Sequence, residues 1–187
     1  MVTLETVLDV IPLMSLVVVL AYYTLTIRNQ NRTRQAQLLM NLYETYRSQE
    51  SRLQSLEIQS WTWKNMDDFW DKYGQDKNPE AWAKWEAKAS FFNGVGILLR
   101  RKLIDIKLLD DLLTSSVNRH WNVLGMGQVL VDWRKRASMR RRESEWRHDP
   151  EYSWEDEAIA VGTAFHGFDY LYHQLSKYRA EHPIDYT

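Results

Sequence analysis

Near the C-terminal end of this 187-residue chain, His166, Asp169 and His173 stand at i, i+3 and i+7. On a helix that spacing places all three along one side. Imidazole and carboxylate are suitable ligands for zinc, iron or copper, so one helix supplies part of a metal site. The competing reading is a polar stripe flanking the core, held by His–Asp hydrogen bonds. A second cluster is cationic. Arg134, Lys135, Arg136, Arg140, Arg141, Arg142 and Arg147 put seven positive charges into fourteen residues. Such a run can hold phosphate, either on anionic lipid headgroups or on an RNA backbone. It can equally be a solvated helix face paired with the acids of residues 151–157. The third feature is aromatic. Trp61, Trp63, Trp70, Trp82 and Trp85 crowd a short stretch, and Trp is enriched at binding hot spots as well as in cores. Trp82 and Trp85 share a helical stripe with core character. On a helical reading Trp61 and Trp63 face opposite ways, which makes one of them a candidate partner interface.

The composition narrows the chemistry further. There is no cysteine, which excludes disulfides, zinc–thiolate sites, iron–sulfur clusters and thiol catalysis. With 24 Lys and Arg against 25 Asp and Glu, the net charge of −1 gives no overall attraction to nucleic acid, and no recognition module is visible. No Gly-rich phosphate loop, nucleophile elbow or paired catalytic carboxylate occurs in a recognisable frame. No cofactor and no catalytic residue are therefore expected.

The elements that must position these residues begin with an anchor. Val10 to Ile27 are eighteen consecutive uncharged residues. As a helix they span about 27 Å, close to the roughly 30 Å of a hydrocarbon core. Pro12 falls in the first turn, where its missing N–H is tolerated, and Tyr22 and Tyr23 sit where rings favour the interface. The leader carries Glu5 and Asp9 and no basic residue, unlike a signal peptide. Arg28, Arg32 and Arg34 follow at once, which places residues 28–187 in the cytoplasm by the positive-inside rule. Three parts are expected: a short extracytoplasmic N-terminus at 1–9, a transmembrane helix at 10–27 and a helical soluble domain at 28–187.

That domain reads as all-α, a bundle of five or six helices. Leu39, Leu42, Tyr46, Leu53 and Leu56 form one stripe on a long helix that can break near Ser48. Asn65 caps a short helix that Gly74 stops. Asn78-Pro79 starts another, with the stripe Trp82, Trp85, Ala89, Phe92, Gly96 and Leu99. Gly94 and Gly96 would let a second backbone come close. Asp105 caps a helix whose apolar face holds Leu109, Leu112, Leu113, Val117, Trp121 and Leu124. A bend at Gly125–Gly127 precedes the basic helix, which runs to about Arg147 before Pro150. The last helix starts at Ser153, with Asp156 in capping-box spacing, and carries Ala158, Val161, Phe165, Phe168, Tyr172 and Leu175.

One stretch is similar to a known family. Phe91-Phe-Asn-Gly-Val-Gly-Ile-Leu-Leu-Arg-Arg-Lys-Leu-Ile-Asp105, then Leu108–Leu113 and Arg119-His-Trp121, resembles bacterial and archaeal membrane-anchored helical proteins of unknown function. In that family an N-terminal span precedes a helix ending in a small-residue, basic, Ile-Asp turn, with a Trp about sixteen residues later. The layout extends over residues 10–147, although the sharp match covers about thirty. The resemblance implies an anchor and a helical domain, and carries no catalytic residue.

The function expected from these readings is a membrane-anchored helical protein-interaction module, an accessory or structural subunit of a larger membrane complex. Its expected partners are the lipid bilayer and other membrane-protein subunits, with nucleic acid disfavoured. The alternatives are a metal-dependent helical enzyme using His166 and His173, or a membrane protein that binds anionic lipid or nucleic acid.

Overall fold

A computed structural model describes the backbone of residues 4–143 and 165–183, and the side chains of 14–137 and 165–183. The described residues are all-α. Helix α1 (Leu4–Arg47) is followed by α2 (Gln49–Ser60), α3 (Met66–Tyr73), α4 (Pro79–Arg100), α5 (Ile106–Asn118), a π-turn at Arg119–Val123, α6 (Met126–Glu143) and α7 (His166–Glu181).

Local chemistry sets most of these boundaries. Ser48 leaves helical geometry at φ −52°, ψ 150°, and its hydroxyl accepts from the Ser51 amide, so α1 and α2 are separate helices. Asn65 and Asn78 cap α3 and α4 through side-chain oxygens that accept from the Asp68 and Ala81 amides, and Asp105 caps α5 in the same manner. Helix α4 ends in a Schellman arrangement. Lys102 takes a left-handed φ of 58°, and the amides of Lys102 and Leu103 donate to the carbonyls of Leu99 and Leu98. Gly125, at φ 63°, turns the chain from the π-turn into α6.

The break at Ser48 corrects the expected stripe. A continuous helix would bury Leu53 and Leu56 beside Leu39, but α2 leaves at a new angle and both lie well exposed. Ile58 is the buried residue of α2. The stripe of α4 holds in full, since Trp82, Trp85, Ala89, Phe92, Gly96 and Leu99 are all buried. In α7 the buried set is Phe168, Leu171 and Leu175, with Tyr172 only half-buried. The expected start of that helix at Ser153, with Asp156, Ala158 and Val161, lies outside the described residues.

Helices α4 and α7 make the largest contact of the bundle. They cross at two glycines. A Cβ on Gly96 would stand 1.7 Å from the Gly167 carbonyl oxygen, and a Cβ on Gly167 would stand 2.2 Å from the Asn93 carbonyl oxygen. The Gly167 amide donates to Asn93 Oδ1 at 2.8 Å across the crossing. Close approach therefore depends on Gly96 as expected, whereas Gly94 faces open space. Around the crossing, Phe92 stacks on Phe168 at 4.9 Å between ring centroids.

Helix α1 differs from the rest. At 44 residues it is about 66 Å long, and only its end joins the bundle. Leu39 is its buried residue among those described, with Leu38, Leu42, Tyr43 and Tyr46 packed beside it. Before that point the apolar side chains from Met14 to Ile27 are nearly all exposed. Among the described residues no helix is long and apolar enough to cross a membrane. The expected span at 10–27 enters that set only from Met14 onward, which leaves fourteen residues, or about 21 Å.

Candidate functional site

The three proposed metal ligands do share the face of α7, but they do not form a metal centre. His166 and His173 are exposed, and the Asp169 carboxylate accepts from Arg134 Nη1 of α6 at 3.1 Å. His173 Nδ1 donates to the Asp169 carbonyl at 2.9 Å, and its ring stands edge-on to Tyr172. Among the described residues no group of three or more His, Cys, Asp or Glu could hold a metal ion. The polar stripe flanking the core is the reading that the geometry supports.

The first cations of the basic helix serve the bundle itself. Arg134 ties α6 to α7 through Asp169. Arg136 donates from Nε to Asp132 and from Nη2 to Asp67 of α3, each at 2.6 Å, with its guanidinium above the Trp70 ring. Trp70 Nε1 donates to the same Asp132 carboxylate, also at 2.6 Å. Lys135 is exposed and has its own interaction. These partners are Asp67, Asp132 and Asp169; the expected pairing with the acids of 151–157 lies outside the described residues, as does Arg147. The side chains of Arg140, Arg141 and Arg142 also lie outside them.

Trp61 and Trp63 need the clearest correction. Both are half-buried and packed against the core. Residues 61–63 are not helical, Trp61 is extended at φ −70°, ψ 140°, and both rings reach the same Tyr73, so the pair points to one side instead of two. Trp61 stacks on Tyr73 at 4.3 Å and 7°, while Trp63 meets Phe69 edge-on at 5.2 Å. Trp61→Ala and Trp63→Ala are each expected to cost about 2 kcal/mol of stability in urea unfolding. An unchanged midpoint with weakened partner association would return the residue to an interface.

The most concentrated chemistry lies elsewhere, in a cleft of about 520 Å³ where the end of α1, helix α2 and the α5–π-turn junction meet. Three cations line it: Arg47, Arg52 and Arg119. Tyr43, Tyr46, Ser55, Gln59, Ser115, Ser116 and His120 complete its polar wall, and no Asp or Glu lines it. The Arg47 guanidinium lies 5.4 Å from the Tyr43 ring centre. Arg119 Nη2 donates to Gln59 Oε1 at 2.5 Å.

Behind the wall sits a buried cation. Lys88 of α4 is 3 % exposed, and its ammonium donates to the Ser51 carbonyl and hydroxyl while lying 5.4 Å from the Tyr46 ring centre. The Ser51 hydroxyl in turn donates to the Tyr46 carbonyl at 2.7 Å, which knits the α1–α2 break to α4. Burial pushes Lys88 down to about 8. His120, on the π-turn, is 2 % exposed. Its Nδ1 is 2.8 Å from the Ser116 carbonyl, which makes Nδ1 the protonated nitrogen. Its Nε2 is buried without a partner. Burial pushes His120 down to about 4; the Ser116 bond opposes that shift, and nearby Lys88 and Arg119 add to it. Burial also raises the Tyr46 phenol, with a hydrogen bond from Ser116 acting the other way.

No protein-family description, curated protein or solved structure matches this chain. The cleft must be judged on its own geometry. Sequence reasoning missed it because its cations come from three places, at positions 47, 52 and 119. The freedom from acids appears only in the folded lining, since Glu44, Glu50 and Glu57 stand close to these arginines in sequence.

Proposed function

We propose that this protein is a membrane-anchored helical module, held in the bilayer by residues 10–27 with its bundle displayed in the aqueous phase. The observation that carries this reading is the surface of α1 ahead of the bundle. Met14, Val18 and Tyr22 are 60 %, 64 % and 67 % exposed, and their apolar neighbours face every direction around the helix. A helix that is apolar all round needs a nonaqueous surrounding, because no polar stripe is left to face water. In the sequence Val10, Ile11, Pro12 and Leu13 come immediately before, which brings the uncharged run to eighteen residues. Arg28, Arg32 and Arg34 then mark the cytoplasmic boundary, with residues 1–9 outside.

From Ile27 to Leu39 the same helix continues for twelve residues, a stalk of about 18 Å before the bundle begins. The all-round apolar surface suits lipid or a neighbouring span, which fits an accessory subunit of a membrane complex. In cell fractions the full chain is expected to stay with membranes through alkaline carbonate. A Val17→Arg/Val18→Arg variant is expected to be released, since each central Arg costs about 2.5–3.5 kcal/mol of insertion. Release of the unaltered chain by carbonate would sink the proposal. Protease added to intact cells should spare residues 28–187, and digestion from outside would reverse the orientation.

A further inference from the structure

We infer that the cleft between α1, α2 and α5 is a binding site for a small soluble organic phosphate. Three arginines line it with no carboxylate among the lining residues, in a chain whose overall charge is −1. Arginine suits this task because its planar fork donates two parallel hydrogen bonds to phosphate oxygens. The Ser115 hydroxyl adds a neutral donor, the Ser55 and Ser116 hydroxyls being engaged with the Ser51 carbonyl and Tyr46, and Leu56 and Leu112 supply an apolar wall. At about 520 Å³ the cleft exceeds what inorganic phosphate fills and falls in the range of sites for small organic ligands.

His120 is the second, independent sign. It lines the cleft, is 2 % exposed, and leaves Nε2 without a hydrogen bond. Buried polar atoms are nearly always partnered, and an orphan among cations marks a place where a ligand group completes the set. With the proton on Nδ1, the Nε2 lone pair is an acceptor, and because that atom is closed to solvent a ligand hydroxyl or a monoprotonated phosphate reaches it only with a shift of the ring.

A phosphate can also come from a lipid headgroup. Arg47 stands twenty residues beyond Ile27 on one continuous helix, about 30 Å along its axis. Headgroups extend only about 5–8 Å beyond the hydrocarbon core on each side, so a soluble phosphate is the source chosen. That choice of source rests on the anchor reading, whereas the phosphate chemistry does not.

The test uses the full chain in phosphatidylcholine nanodiscs, with AMP as the soluble probe and phosphatidic acid in the discs as the lipid probe. AMP is expected to shift the His120 ring signals in NMR and to raise the unfolding temperature. Arg47→Gln and Arg52→Gln, both at exposed positions, should each weaken AMP by about tenfold or more while leaving the unliganded unfolding temperature unchanged. If AMP leaves the ring signals and the unfolding temperature unchanged at millimolar levels, the inference is overturned. A response to phosphatidic acid alone overturns the soluble source. AMP binding that survives the Arg47→Gln/Arg52→Gln double variant overturns the site.

Discussion

Gly96→Ala should unfold most of the bundle's stability, with a loss above about 3 kcal/mol in urea titration. The added methyl would meet the Gly167 carbonyl at 1.7 Å, and both sides of that contact are backbone. No side-chain rotation relieves it, so α4 and α7 must separate and loosen Phe92, Val95, Phe168 and Leu171, all fully buried. Gly167→Ala meets the Asn93 carbonyl at 2.2 Å and should behave alike. Gly94→Ala is the built-in control. It has nothing within 4 Å and removes a glycine from mid-helix, so it should gain up to about 1 kcal/mol. Domains carry only about 5–15 kcal/mol in total, which makes the contrast easy to read. Equal stability of the Gly96→Ala and Gly94→Ala variants would show that the two helices do not cross where described.

The second large effect is acid sensitivity through His120. Its folded value of about 4 lies below the ordinary 6.5, so between those values the unfolded chain binds a proton that the native bundle refuses. Stability therefore falls as pH drops through that window, by up to about 3 kcal/mol from this group. The groups facing it reinforce the sign: Lys88 from α4 and Arg119 beside it are cations, and the Tyr46 and Phe92 rings complete the enclosure. Acids titrate near the same range, so the measurement is a difference. The pH dependence of unfolding from 6.5 to 4 should be steeper in the natural chain than in His120→Phe. Parallel curves would mean that His120 charges freely in the folded state. Lys88 acts in a separate window. Its folded value of about 8 lies below 10.5, so stability rises with pH between those two points.

Several of these elements were legible from residue types alone. Asn65, Asn78 and Asp105 announce helix starts because a short side-chain oxygen can meet a free amide only there. Gly96 announces a close crossing because nothing else in its stripe is small enough, although the partner glycine at 167 is not marked by the pattern. The pair Trp61 and Trp63 misled, since i, i+2 spacing is two-sided on a helix and one-sided on an extended chain. Backbone conformation decides between them, and no local residue fixed it. The stripe through Leu53 and Leu56 failed for a related reason. Ser48 can end a helix, but the angle at which α2 departs depends on Lys88 reaching Ser51 from 37 residues away. The cleft was the least legible feature. Arg52 and Arg119 line one cleft only after the π-turn comes to α2, where Arg119 bonds Gln59, and neither position is unusual in its own segment.

The anchor proposed for residues 10–27 puts that part of α1 in lipid and the bundle in water, and the chain's lack of cysteine allows that to be measured residue by residue. Val18→Cys and Leu53→Cys variants, both at exposed positions, would carry spin labels in the full chain reconstituted in nanodiscs. Collision with oxygen, which concentrates in lipid, is then compared with collision with a water-soluble nickel chelate. Oxygen is expected ahead of nickel at position 18 and nickel ahead of oxygen at position 53. A label at position 18 that meets nickel as readily as the one at position 53 would place α1 in water and contradict the anchor.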